Sequence, residues 1–263
     1  MMNKKALGFS IAGSAIIILF MLFINYTTSP GFPWFIYPAF AALWWPMGVY
    51  SAQKGGARFM SIAGPLLCIV FFIAVNLTTS PGFLWCIFPI FGILWWPMGY
   101  FLGRKAKILS IVGSALIIVF FILVNLMTGF GHPWFIYPAF AVIWWPMAVL
   151  VGRGHAKLFS LLGFLLTTVF FVIVNLVTSP GHIWFIHPVY AAAWWPLSVL
   201  LARRQSIKIY SLAASLMTIA YLVILNLIVS PGTWWCLYTV FPLILWPALM
   251  YMEKQAASLP VAI

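Results

Sequence analysis

The side chains that could carry acid–base, nucleophilic or metal chemistry are few in this sequence. The chain contains one acidic residue, Glu253, together with four histidines and three cysteines. Three of the histidines, His132, His182 and His187, define a weak candidate for a metal-binding or pH-sensitive cluster. Aromatic residues occupy most of the corresponding positions elsewhere in the chain, which favours an interfacial amphipathic role for these histidines instead. Paired carboxylates, a glycine-rich phosphate loop and zinc-ligand spacing are missing. We therefore predict no catalytic residues and no cofactor.

The strongest pattern is a stretch that begins with asparagine and recurs along the chain, at residues 25–47, 76–98, 125–147, 175–197 and 226–248. Its asparagines form a candidate repeated polar ring: Asn25, Asn76, Asn125, Asn175 and Asn226. Two interpretations remain open. The amides could line an outer vestibule, or each could bond to the backbone of its own turn, as asparagine commonly does at helix ends.

Each copy of this stretch has tryptophan followed by proline immediately before its last residue. These residues are a second candidate site: Trp44, Trp45, Pro46, Trp95, Trp96, Pro97, Trp144, Trp145, Pro146, Trp194, Trp195, Pro196, Trp246 and Pro247. A proline inside a membrane helix frees a carbonyl that a neighbour must satisfy, so these positions predict kinked helices. We expect one tryptophan of each pair to face lipid and the other to face a neighbouring helix.

Composition places the chain in a membrane. Hydrophobic residues make up 65% of the sequence, charged residues make up 5%, and the mean hydropathy is +1.14. A spanning helix needs about 20 apolar residues, and each repeat has room for two. The predicted fold is therefore an all-α polytopic membrane protein, with ten transmembrane helices in five parallel helical-hairpin repeats of about 50 residues.

The repeats form one membrane domain, residues 1–263, with predicted boundaries at 1–53, 54–103, 104–153, 154–204 and 205–255, followed by a cytoplasmic tail at 256–263. In each repeat, a first helix is predicted to end three residues after the asparagine, at Thr28, Thr79, Thr128, Thr178 and Val229. A turn with Gly then leads to a second helix, predicted over about Trp34–Ala52 in the first repeat. Small residues at i, i+3 and i+4 of the first helix, such as Ser10, Gly13 and Ser14, predict its contact face with other helices.

The net charge of +12 is concentrated on one side of this arrangement. The 13 lysines and arginines lie at the termini or in the connectors between repeats, and the Pro-Gly loops have none. The positive-inside rule therefore predicts a multi-pass plasma-membrane protein whose termini and connectors are cytoplasmic and whose Pro-Gly loops are outside. The expected partners are membrane lipids, including anionic head groups at the cytoplasmic face, and a partner membrane protein; nucleic acid is not expected.

The order of asparagine, a glycine-containing turn and Trp-Phe-Ile-x-Pro resembles the short two-transmembrane hairpin domain of uncharacterised bacterial membrane proteins. That domain is also found fused to signalling modules. The resemblance implies a bacterial plasma-membrane location and no known chemistry.

The function classes left by these observations are few. The first is a non-enzymatic protein with a structural or interaction role, which binds lipid or a partner membrane protein. The alternative is a channel or facilitator with a central path between five kinked helices, for anions or small neutral solutes. A lipid-modifying enzyme is a third hypothesis, in which only Ser, Thr, His and Asn could act.

Overall fold

The computed structural model of the protein describes residues 4–129, 131–152, 154–202 and 207–257, except for the side chains of 253–257. Across these ranges the chain is all-helical, with no strand. Three residues of the predicted basic connectors, Arg153, Arg203 and Arg204, lie outside the described residues, as does segment 258–263 of the predicted tail.

The helices alternate between longer odd-numbered and mostly shorter even-numbered ones. Their bounds are α1 (Lys4–Thr28), α2 (Ile36–Tyr50), α3 (Gly56–Thr79), α4 (Ile87–Leu102), α5 (Ala106–Thr128), α6 (Ile136–Met147), α7 (Ala156–Thr178), α8 (Ile186–Leu201), α9 (Ile207–Val229) and α10 (Cys236–Ala257). The π-helical segments Ser51–Gly55 and Ala148–Gly152 extend α2 and α6. The chain forms two compact units, Met1–Phe130 with α1 to α5 and Gly131–Ile263 with α6 to α10.

Five helical stretches are long and apolar enough to cross a membrane. They are Lys4–Thr28, Ile36–Thr79, Ala106–Thr128, Ala156–Thr178 and Ile207–Val229. The remaining apolar helices are shorter. The 16 residues of α4 rise about 24 Å, less than the roughly 30 Å of a bilayer's hydrocarbon core. A crossing by α4, or by α8 with the same 16 residues, would therefore need the adjoining loop residues as well.

Small and polar residues fill the interior, and large apolar residues cover the outside. The predicted contact face of the odd-numbered helices is confirmed, since these members of it are buried: Ser10, Ser14, Ser61, Gly64, Ser110, Gly113, Ser114, Ser160, Gly163, Ser211, Ala214 and Ser215. Many leucine, isoleucine and phenylalanine side chains are exposed instead. This distribution suits a protein whose solvent is lipid.

Within each unit, every helix packs against the helix that follows it in the chain. The odd-numbered helices end at the predicted threonine or valine, whereas α2 begins at Ile36 and not at the predicted Trp34. The delay arises because the Trp34 N–H donates to the Phe32 carbonyl, 2.9 Å away, so Trp34 still belongs to the turn. The predicted helix end at Ala52 is wrong as well. The π-helical turn continues to Gly55, and Gly56, with φ of 51°, starts α3 in a conformation that favours glycine.

Candidate functional site

The loop between α1 and α2 is organised by the side chain of Asn25. Its Nδ2 donates to the carbonyls of Ser29 at 2.8 Å and Phe32 at 2.9 Å. Its Oδ1 accepts the backbone N–H of Phe35, also at 2.9 Å. Because the amide uses both of its donors and its acceptor within ten residues, it fixes the end of α1 to the start of α2.

The same bonds recur in later loops. The amides of Asn76, Asn175 and Asn226 also donate to carbonyls four and seven residues ahead and accept an N–H ten residues ahead. Asn125 donates to the Gly129 carbonyl at 3.1 Å. All five asparagines are buried. Of the two interpretations of the repeated asparagines, these bonds match the one in which each amide bonds to the backbone of its own turn. The amides are directed toward their own loops.

The tryptophan pairs pack against glycines on the odd-numbered helices. A Cβ atom placed on Gly64 would lie 2.8 Å from the Trp96 ring and 3.4 Å from the Trp44 ring. Trp96 belongs to α4, which follows α3 in the chain, and Trp44 belongs to α2, which precedes it. The glycine therefore receives one ring from each side. The Trp96 ring occupies space that a Cβ would need, and the Trp44 ring lies at ordinary contact distance.

The second unit repeats this contact around Gly163. A side chain there would overlap Trp195 of α8 and approach Trp144 of α6 to 3.0 Å. These two indole rings lie 6.0 Å apart, centroid to centroid. The second tryptophan of a pair thus contacts the preceding odd-numbered helix, and the first contacts the following one.

The expectation from sequence is that one ring of each pair faces lipid and the other a neighbouring helix. In α2 both rings contact a helix, Trp44 at Gly64 and Trp45 at Gly13, while Trp45 stays partly exposed. For the other pairs the expectation stays a prediction.

The prolines of α2 differ in their surroundings. Pro38 lies in the first turn, where an N–H is not needed for an intrahelical bond. Pro46 lies within the helix and leaves the Ala42 carbonyl without its usual backbone donor. The hydroxyl of Ser14 on α1 donates to that carbonyl at 2.7 Å. The carbonyl freed by Pro46 is therefore satisfied by a serine of the contact face.

A set of stacked rings joins each even-numbered helix to the next odd-numbered one, and sequence analysis missed it. We call these the junction pairs: Phe40 with Phe71, Phe91 with Phe120, Phe140 with Phe170, and Tyr190 with Tyr221. Their centroids lie 4.0 to 4.1 Å apart and their planes are within 21° of parallel. The signal was an aromatic residue at both aligned positions in every copy of the repeat.

Apolar grooves flank three of the junction pairs. Each has a volume of about 160 to 190 Å³ and is lined by aliphatic and phenylalanine side chains, such as Ile36, Leu67 and Val70 beside Phe40 and Phe71. A larger groove of about 360 Å³ lies beside Pro46, Met47 and Phe59. These linings can take hydrocarbon but offer no polar group to orient a ligand.

The predicted histidine sites are dispersed. His187 Nδ1 lies 2.7 Å from the Tyr221 hydroxyl, and Tyr190 of the same junction bonds to Thr218 at 3.0 Å. The His182 carbonyl accepts from Asn175, and the His132 ring lies 6.0 Å from that of Tyr137. In the part of the chain that the structure describes, no three His, Cys, Asp or Glu side chains are grouped to hold a metal ion.

Comparisons of the chain with protein-family models, with curated proteins and with solved structures find no match. Function is therefore inferred from the geometry of the chain's own residues. Their arrangement supplies close helix packing and satisfied loops at recurring positions.

We expect Asn76→Ala to destabilise the protein. The change leaves the Cys86 N–H without its acceptor and removes one of two donors to the Ser80 and Phe83 carbonyls, and an unsatisfied buried N–H costs about 1–3 kcal/mol. The midpoint of thermal unfolding in detergent should fall clearly. Thr78→Val is the matched control, because Thr78 only bonds carbonyls of its own helix at an exposed position. Equal midpoints for the two variants would contradict the role of the amide.

A second stability prediction concerns the tryptophan contact. Gly64→Ala places a methyl group against the Trp96 ring, and overpacking of this kind costs about 1–3 kcal/mol. The control is Gly92→Ala in α4, where a Cβ meets nothing within 4 Å and alanine should stabilise the helix by roughly 0.5–1 kcal/mol. Thermal unfolding monitored by tryptophan fluorescence should shift in opposite directions for the two variants. A rise for Gly64→Ala would show that the ring contact is not tight.

Proposed function

We propose that this protein is a non-enzymatic integral membrane protein with a structural or interaction role. In this proposal five parallel helical-hairpin repeats cross the plasma membrane ten times, with the termini and connectors in the cytoplasm. The observation that carries it is the inverted distribution of side chains, with serine, glycine and asparagine inside and large apolar residues outside. Such a surface is compatible with lipid, and it presents apolar contact area to lipid or to another membrane protein.

The use made of the recurring polar groups supports a structural role. The amides of Asn25, Asn76, Asn175 and Asn226 are bonded to the backbone of their own loops. Ser10 bonds within its own helix, and Ser14 bonds to the carbonyl freed by Pro46. These side chains satisfy backbone groups at helix ends and at Pro46, which in hydrocarbon is a requirement of folding.

The cytoplasmic side of the proposed arrangement attracts anionic lipid. Lys54, Lys105, Lys107 and Lys157 lie in or beside the connectors between repeats, and head groups of negative charge favour such positions. Lys208 at the start of α9 has its amine 4.7 Å from the centre of the Tyr251 ring in α10. That cation–π contact joins the two helices at the same side.

The alternative function, a channel or facilitator, is motivated by the recurring asparagines and prolines. A path between kinked helices needs polar groups directed toward it. The Asn25 amide is directed into its loop, and the Ala42 carbonyl beside Pro46 is directed toward Ser14. These contacts favour the structural proposal over the channel.

The proposed sidedness predicts opposite labelling of two single-cysteine variants. Native Cys68, Cys86 and Cys236 are first replaced by alanine. Gly82→Cys, in an exposed Pro-Gly loop, should react with a membrane-impermeant maleimide in intact cells, and Lys105→Cys, in a connector, should react only after permeabilisation. Labelling of both cysteines in intact cells would contradict the ten crossings with this orientation.

The proposed role also predicts the absence of transport. Purified protein reconstituted into liposomes should give chloride and glycerol fluxes equal to those of protein-free liposomes. The paired control is Ser14→Ala protein, which removes the donor to the Ala42 carbonyl and should also give no flux. Chloride or glycerol flux above the leak for the native chain would favour the facilitator and overturn the structural proposal.

A further inference from the structure

Each junction has two halves, one on an odd-numbered helix and one on an even-numbered helix. The odd-helix half is exposed on α1, and the even-helix half is exposed on α10. The odd-helix half carries Phe71, Phe120, Phe170 or Tyr221, and each is half-buried against an even-numbered helix. The aligned residue of α1 is Phe20, which is 55% exposed, and its neighbour Ile16 is 67% exposed. We call Ile16, Phe20 and Phe23 the α1 end face.

The complementary half is exposed on α10. Phe40, Phe91, Phe140 and Tyr190 are half-buried in the junctions, whereas the aligned Phe241 is 69% exposed. Leu237, one turn earlier, is 62% exposed, while its counterparts on the other even-numbered helices are half-buried. We call Leu237, Phe241 and Leu245 the α10 end face.

We propose that the α10 end face of one copy of this chain docks against the α1 end face of a second copy. The argument is continuity with the internal interface. Each end face carries an aromatic residue at a position that stacks in every junction pair. The α1 end face has the odd-helix position, and the α10 end face has the even-helix position. A contact between unlike faces is head-to-tail, so it can add further copies in the same direction. The inference rests on the proposed role as a membrane interaction protein, and it names the partner as the same chain.

The contact between copies is weaker than an internal junction. At an internal junction Trp44 of α2 reaches Gly64 of α3 beside the stacked rings. Leu245 occupies the position of Trp44 in α10, so the tryptophan–glycine part is missing from the α10 end face. Ring stacking adds little beyond the burial of area. Association is therefore expected to be reversible and to require crosslinking for its detection.

The test is photocrosslinking in membranes that contain two differently tagged copies. One copy carries Phe20→p-benzoyl-Phe, and adducts are mapped by mass spectrometry. The expected adduct joins this residue to the α10 segment around Phe241 of the other tagged copy. Phe241→Ala in that second copy should lower the adduct yield several-fold, because the stacking ring is removed.

The matched control is Leu22→p-benzoyl-Phe, two residues further along α1 and thus roughly 200° around the helix at nearly the same depth. It should give little adduct with the second copy. The chemistry is verified by Phe71→p-benzoyl-Phe, which should crosslink to α2 around Phe40 of its own chain, where the rings stack at 4.1 Å.

With the Phe71 control positive, several results would overturn the proposal. They are adducts of position 20 with lipid alone, adducts with α10 of the same chain, or equal yields from positions 20 and 22. None of these affects the proposed structural role, which is tested separately by sidedness and flux. Conversely, flux above the leak would refute that role even if copies crosslink through the end faces.

Discussion

A backbone group in the hydrocarbon of a bilayer has no water to bond with. The buried polar side chains of this fold supply hydrogen bonds in place of water. In the loops after α1, α3, α7 and α9, two carbonyls take a side-chain donor and an N–H at the start of the next helix needs an acceptor. An asparagine has two donors and one acceptor in a flat arrangement that matches this need. Ser14 answers the same constraint at Pro46, where a hydroxyl replaces the backbone donor that proline lacks.

Close packing is the second requirement, because burial of apolar area gives no net gain when lipid is the alternative contact. The fold meets it by placing indole rings over glycines, where the rings approach the helix backbone. Gly64 takes one ring from α2 and one from α4, which accounts for the two adjacent tryptophans in a single motif. In α10, Leu245 stands at the position of the first tryptophan.

The features predicted from sequence are those with a direct periodic or compositional cause. Helical class, apolar stretches, the contact face through Ser10 and Gly13, and the ends of the odd-numbered helices follow from spacing that one helix imposes on itself. The start of α2 at Ile36 was missed because the Trp34 N–H donates to the Phe32 carbonyl and the Phe35 N–H donates to Asn25 Oδ1, so the turn extends past Trp34. The junction pairs were missed because stacking depends on the relative placement of two helices, which no single helical period contains.

The choice of aromatic residues at the junctions follows from the same solvent. An aliphatic pair would gain little over the acyl chains that it displaces, whereas stacked rings keep their quadrupole attraction in hydrocarbon. Three junctions use phenylalanine alone. The fourth uses Tyr190 and Tyr221, whose hydroxyls each find a partner, in Thr218 and His187. Tyrosine in place of phenylalanine is compatible with the membrane here only because hydrogen-bonding side chains, Thr218 and His187, lie beside the two hydroxyls. A tyrosine at either position without Thr218 or His187 beside it would leave its hydroxyl unsatisfied, so each ring and its hydrogen-bond partner form one unit.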